Sequence, residues 1–249
     1  MHKKLLAAFF AAVLAVTACT ACGSKTKNNS SSGGDSAASP DASAQADSGQ
    51  SGADGGADPA AAEIEAPTAA KSGDAFVMIA DASWYAKYFG NTEETGDDLL
   101  AYGAVAAHIT GSGDYTISVN AGSHGTQKEI TGDPNGSYQC SGLGFAAVKV
   151  VDGTKLYPNM SIEIKEIRVD GNAIPLTAKN YTSSDDNTEM RANIYNDYVS
   201  RFPEDAHNAD GQLTGEFGEY SSKIVDPANF DKWQKVEVDF TVSGIGNAE

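Results

Sequence analysis

Thiols, basic side chains and long apolar runs are all scarce in this chain. The 249 residues contain only three cysteines: Cys19, Cys22 and Cys140. So few exclude a disulfide framework and a zinc site built on several thiolates. Cys140, in Tyr138-Gln139-Cys140-Ser141-Gly142-Leu143, has no evident His neighbour to activate it and reads as a small core residue. Lys and Arg total 17 against 34 Asp and Glu, a formal net charge of −17. Such a surface repels phosphate backbones and anionic headgroups, so nucleic acid is not an expected partner. Beyond the N-terminus no apolar segment approaches the ~20 residues that cross a bilayer. Catalytic signatures are missing as well: there is no Gly-x-Ser-x-Gly, no phosphate-cradling loop ending in Lys-Ser/Thr and no His-Glu-x-x-His. Of the four histidines, His2 lies in the leader, His108 reads as a strand edge, and His124 and His207 as loops without metal-ligand spacing. Acids abound, but none forms a recognisable pair across a cleft. The chain reads as a non-enzyme.

What is present begins at the N-terminus. Lys3 and Lys4 precede an apolar run from Leu5 to Val16, followed by Val16-Thr17-Ala18-Cys19. A charged n-region, an h-region too short to span a bilayer and small residues before a cut describe a secretory signal. A cysteine directly after that cut resembles the lipobox of bacterial lipoproteins. The resemblance implies cleavage after Ala18 and acylation of Cys19, with Cys22 as the alternative. Cys22 lacks the aliphatic residue three positions upstream that Val16 gives Cys19. The expected location is therefore extracytoplasmic, on the outer face of a cell membrane. Acyl chains such as palmitate, rather than a basic patch, would hold it there.

Residues 1–18 thus read as signal peptide and 19–73 as a lipidated cysteine followed by a linker. From residue 23 that linker is dominated by Ser, Gly, Ala, Asp and Pro, has no aromatic residue, and holds Ile64 as its only large aliphatic. It cannot bury enough apolar area to offset its ordering entropy, so disorder is expected. As a flexible coil its ends would sit roughly 40 Å apart, enough to hold a domain off a membrane. Composition changes at Asp74-Ala75-Phe76, and residues 74–249 read as one domain.

Short β-branched and aromatic runs between turn signals predict strands there. Ala75–Asp81 and Leu143–Val151 are continuous apolar runs, as in strands covered on both faces. Ala107–Thr110 and Tyr115–Val119, joined by Gly111-Ser112-Gly113-Asp114, predict a hairpin. Ser161–Val169 alternates but slips by one at Lys165-Glu166, which predicts a bulge. Asp170-Gly171-Asn172 predicts a tight turn into Ala173–Leu176. Met190–Val199 reads as a strand, and Lys235–Val242 alternates without a break. Asp226-Pro227 predicts a short capped turn. Glu93–Ala107 has weak helical character, interrupted by Gly96 and Gly103. The expected fold is all-β, an antiparallel two-sheet sandwich of the jelly-roll type.

Two clusters could carry binding. Asp185, Asp186, Asn187 and Glu189 offer hard oxygen ligands for a structural Ca²⁺, against the plainer reading of a solvated acidic turn. No cofactor beyond that ion is expected. Sugars stack their C–H faces on exposed rings, while amides and guanidinium groups bond their hydroxyls. Extended from Met190 to Tyr198, the chain would set Arg191, Asn193, Tyr195 and Asp197 on one face, opposite Met190, Ala192 and Ile194. Trp84 and Tyr88 follow the first strand as further stacking rings, with Tyr85 and Phe89 beside them. Trp233 reads as core.

The run Ala75-Phe76-Val77-Met78-Ile79-Ala80-Asp81-Ala82-Ser83-Trp84 resembles the opening of carbohydrate-binding-module-like sandwich domains. Such domains occur in secreted glycoside hydrolases and lipoproteins of Clostridia-type bacteria. Ile162–Gly171, Tyr181–Asp186 leading to Arg191–Asn196, and Val236–Val242 are similar to later parts of the same domains. The resemblance implies a non-catalytic module that captures polysaccharide or oligosaccharide. The side chains read above as displayed, Trp84, Tyr88, Arg191, Asn193 and Tyr195, are the candidates for its site, and a monomer is expected. No catalytic domain accompanies it here. An adhesin-like or envelope-complex interaction module is the alternative, since the sandwich hosts many functions.

Overall fold

The computed structural model describes residues 67, 69–90, 98–185 and 188–246. The chain divides into two units, 1–56 and 57–249, and all described residues belong to the second. Cys19, Cys22, Asp186 and Asn187, with almost all of the Ser/Gly/Ala/Asp-rich segment, lie outside them.

In chain order the first strands are β1 (Asp74–Ala80), β2 (Lys87–Tyr88), β3 (Ala107–His108), β4 (Gly113–Asn120), β5 (Cys140–Ser141), β6 (Phe145–Val150) and β7 (Ser161–Val169). Then come β8 (Asn172–Ile174), β9 (Thr182–Asp185), β10 (Glu189–Tyr195), β11 (His207–Asn208), β12 (Gly211–Gln212), β13 (Lys232–Trp233) and β14 (Lys235–Ser243). An eight-stranded sheet runs β12-β11-β9-β10-β6-β1-β2, with β3 also paired to β1. A four-stranded sheet runs β4-β14-β7-β8. The strand ladders are antiparallel, and the two sheets pack as an all-β sandwich.

The smaller sheet follows its sequence pattern closely. Along β14, Val236, Val238, Phe240 and Val242 are buried while Lys235, Glu237, Asp239 and Thr241 alternate outward. Ile117 and Val119 of β4 and Ile162, Ile164, Ile167 and Val169 of β7 join them in the core. Each such side chain contributes about 1.5–3 kcal/mol by leaving water. The bulge in β7 is where the slip predicts it. Glu166 pairs with Asp239 and Ile164 with Phe240, which leaves Lys165 as the extra residue. Asp170 and Gly171, at φ 49° and 80°, form the left-handed two-residue turn that joins β7 to β8. Asp170 Oδ1 then accepts the Gln234 and Lys235 amides at 3.0 and 2.7 Å, fastening that turn to the start of β14.

The upstream hairpin expectation is corrected. Ala107 and His108 pair with Ala75 and Asp74 of β1, whereas β4 pairs along its whole length with β14. The intervening turn carries the chain from one sheet to the other: Ile109 is fully buried with its amide on Gly73 O, and the Tyr115 hydroxyl donates to Gly111 O. Eight consecutive pairs with β14 outweigh the few that a local hairpin offers.

Helical structure is sparse. Asp226 caps a single turn over Pro227–Phe230 by accepting the Ala228 amide, as its sequence predicts. The weak helical stretch reduces, among its described residues, to one turn at Ala101–Gly103. A helix missing from the sequence reading, α1 (His124–Thr131), is capped by Ser123 and stopped by Gly132 at φ 78°. His124 therefore begins a helix rather than lying in a loop. β5 and β13 set Cys140 opposite Trp233, both fully buried, and burial pushes the Cys140 thiol up, away from nucleophile behaviour. Trp233 donates Nε1–H to Gly142 O at 2.9 Å, so its assignment to the core holds.

Candidate functional site

The larger sheet differs from the smaller in being buried on both faces. Every residue of β6 is buried, although side chains alternate across a strand. Ala146, Val148 and Val150 face the sandwich core with Val77, Ile79 and Ala192. On the opposite, outer face lie Phe145, Ala147 and Lys149. Register extends that face into rows: Phe76, Lys149, Arg191 and Ser183 stand side by side across four strands, and Met78, Ala147 and Asn193 form the next row.

One end of the outer face is charged. Lys149 Nζ lies 3.2 Å from Asp185 and also pairs with Glu189, while Arg191 Nη1 lies 3.1 Å from the other oxygen of Asp185. Two cations and two anions thus cancel. Lys149 is 8% exposed, and a buried ammonium persists only when paired in this way. Two buried polar atoms of this face have no hydrogen-bond partner among the described residues. The Arg191 Nε–H and the Ser183 hydroxyl are buried without a hydrogen-bond partner, and their residues are cross-strand neighbours on this face. Asn193 and Asn196 flank them, joined by a 3.1 Å bond from Asn196 Nδ2 to Asn193 Oδ1.

The other end is apolar and aromatic. Ala80, Phe145 and Ala147 form a small cluster of their own, with Met78 and Phe89 against it. Trp84 lies over this cluster, its ring centroid 6.3 Å from those of Phe145, Phe89 and Tyr198. Trp84 is 38% exposed, Tyr198 77% and the adjoining Tyr85 53%, so these rings face water. The Trp84 backbone sits at φ 59°, a conformation that costs a bulky residue on the order of 1–2 kcal/mol. Asp81 holds it there: its carboxylate accepts the Ser83 hydroxyl and the Tyr85 amide, and its carbonyl accepts the Trp84 amide. Gly144 makes room, since a Cβ there would lie 2.9 Å from the indole nitrogen.

The sequence-nominated residues separate into two groups. Arg191, Asn193 and Trp84 share the outer face, Arg191 and Asn193 on its floor and Trp84 on its rim. Tyr88 does not join them. It is buried edge-on against Phe76, and burial raises its hydroxyl pKa to about 12. Tyr195 also leaves the face, because β10 bulges between Asn193 and Tyr195. The extra residue sets Tyr195 opposite the inward-facing Ala146 and packs it against the main core. Asp197 turns outward and pairs with Lys223 at 2.8 Å, accepting the Tyr195 hydroxyl as well. Those two contacts, Lys223 first, hold its carboxyl below the usual range. The expected four-residue face is thus replaced by Arg191, Asn193 and Asn196. The calcium candidates lie only partly within the described residues. Asp185 and Glu189 are engaged by Lys149 and Arg191, Asp186 is outside the described residues, and no group of metal-ligating side chains forms among the described ones.

Sequence reasoning missed Lys149 and Ser183. The signal for the first was legible: a lone lysine inside the apolar run Phe145–Val150 needs a buried counter-charge. A cleft of about 590 Å³ opens elsewhere, at the sandwich edge beside the first half of β7. Its wall includes Lys165, Lys179, Glu219 and Tyr220, and none of the nominated residues lines it. Comparisons with protein-family models, curated proteins and solved structures return no match to this chain.

Proposed function

We propose that this protein is a non-catalytic glycan-binding lipoprotein: a β-sandwich of the carbohydrate-binding-module kind that captures polysaccharide at a cell surface, tethered through acylated Cys19. The observation that carries the reading is the union of water-facing rings and unsatisfied hydrogen-bonding groups on one sheet face. Trp84 and Tyr198 offer flat apolar surfaces for sugar C–H faces. On the same face the Arg191 Nε–H and the Ser183 hydroxyl lie buried with no hydrogen-bond partner among the described residues. Strain at Trp84 supports a role in display, since backbone outliers concentrate where function requires them. A binding rather than hydrolytic role is supported by the two carboxylates of the face, each already engaged by a cation.

Affinity electrophoresis through gels containing single polysaccharides tests the reading. The folded protein should be retarded by at least one glycan, and Trp84→Ala, Tyr198→Ala and Arg191→Ala should each reduce the retardation. Free migration in every gel would refute it. Metabolic labelling with an alkynyl palmitate analogue tests the anchor, with label lost from Cys19→Ser and kept by Cys22→Ser.

A further inference from the structure

We infer that the ligand of the outer face is an electrically neutral glycan, and that Asp185 and Glu189 are the residues that keep acidic glycans out. The inference deepens the glycan-binding reading and rests on it. The two cations of the floor are not available to an anion. Lys149 already touches both Asp185 and Glu189, and Arg191 Nη1 already touches Asp185. A uronate or sulfate entering here would have to draw a cation away from a carboxylate in contact with it. It would also come to rest beside two charges of its own sign. The field of the whole chain, at −17, opposes it further.

What lacks a partner on the floor is a pair of buried polar groups, not a free charge. Arg191 Nε presents one N–H and Ser183 one hydroxyl, both buried and unpartnered among the described residues. Once the side chains that bury them shift aside, a sugar hydroxyl or ring oxygen can bond such groups while leaving the ion pairs intact. A full negative charge would need a matching unpaired positive one, and both cations of the floor, Lys149 and Arg191, are already paired.

Gel retardation at low salt, on neutral glucans, mannans and xylans beside polygalacturonate, alginate and a sulfated galactan, tests this. The wild-type protein should be retained by one or more neutral polymers and by none of the acidic ones. Asp185→Asn/Glu189→Gln, which frees Lys149 and Arg191, should gain affinity for the acidic polymers by about tenfold or more, and high salt should abolish the gain. Retention of wild type on acidic polymers as strongly as on neutral ones overturns the charge inference and leaves glycan binding standing. Retention on no polymer at all overturns both. A folded double variant that gains nothing refutes the assignment to Asp185 and Glu189. If that variant fails to melt cooperatively, Glu189→Gln alone and the wild-type neutral-to-acidic comparison decide the matter.

Discussion

Asn180 is where one side chain stands in for a missing strand. β8 pairs with β7 only over Ile167–Val169, so the first half of β7 lacks a strand neighbour on that side. Asn180, 6% exposed, fills the gap: its Oδ1 accepts the Ile164 amide at 2.9 Å and its Nδ2 donates to the Ile162 carbonyl at 2.7 Å. Thr182 continues the substitution by accepting the Ile162 amide at 2.8 Å. Asn180→Ala strands the Ile164 N–H outright and leaves the Ile162 C=O only its longer 3.3 Å bond from the Thr182 hydroxyl. At about 1–3 kcal/mol for the fully unsatisfied N–H and about 1 kcal/mol for the carbonyl that keeps a weaker partner, the loss is about 2–4 kcal/mol. The cleft alongside admits water, which favours the lower half of that range. For a domain of this size each kcal/mol is worth about 2–4 °C, so the melting midpoint should fall by roughly 5–12 °C. Asn180→Asp separates the two bonds, keeping the acceptor for Ile164 and setting a charge against the Ile162 carbonyl; it should cost at least as much. Calorimetric or circular-dichroism melts at neutral pH measure all three proteins. A change below about 0.5 kcal/mol in Asn180→Ala would mean that the edge does not depend on this side chain, and the argument would fail.

Other outcomes follow from the same contacts. Gly103→Ala should destabilise by about 3 kcal/mol in a denaturant titration, because its Cβ would fall 1.9 Å from the Asn120 carbonyl oxygen, a backbone atom with nowhere to go. The Asp239 carboxyl is held below its usual range, chiefly by Arg168, so its contribution is complete above the unfolded carboxyl pKa of about 4 and fades as pH falls through the folded value. Asp239→Asn should therefore lower stability at neutral pH and flatten the loss between about pH 4 and 2, as read from urea midpoints across that range. Asp81→Ala should cost about 1–2 kcal/mol and weaken glycan retention, because that carboxylate braces the turn that presents Trp84.

The smaller sheet was legible because it is buried on one face only. Alternation along Lys235–Ser243 and the slip at Lys165 translate directly into register and bulge. Cys140 was readable as core on a different ground, the lack of a His neighbour to activate its thiol. The larger sheet was harder. A strand buried on both faces loses its period, so nothing in Phe145–Val150 tells which side chains point outward. The binding face was half legible. Arg191 and Asn193 fall where alternation puts them, but one inserted residue in β10 exchanges Tyr195 for Asn196, and no local signal marks that bulge. Tyr88 and Trp84 differ in exposure through a turn geometry held by Asp81, which a sequence motif of this length does not reveal. The false hairpin at Ala107–Val119 shows the reverse failure, a good local signal overridden by a better partner more than a hundred residues away.

The chain has only two tryptophans, and their settings are opposite: Trp233 sealed in the core, Trp84 at the rim and open to water. The protein consequently carries two intrinsic optical probes that report separate events. Emission from the sealed indole should be blue-shifted and deaf to acrylamide until the sandwich unfolds. Emission from the rim should be redder, quenchable, and sensitive to whatever settles on that ring. Ligand titration and global unfolding can thus be followed in one unlabelled sample, by quenching on the one hand and spectral shift on the other.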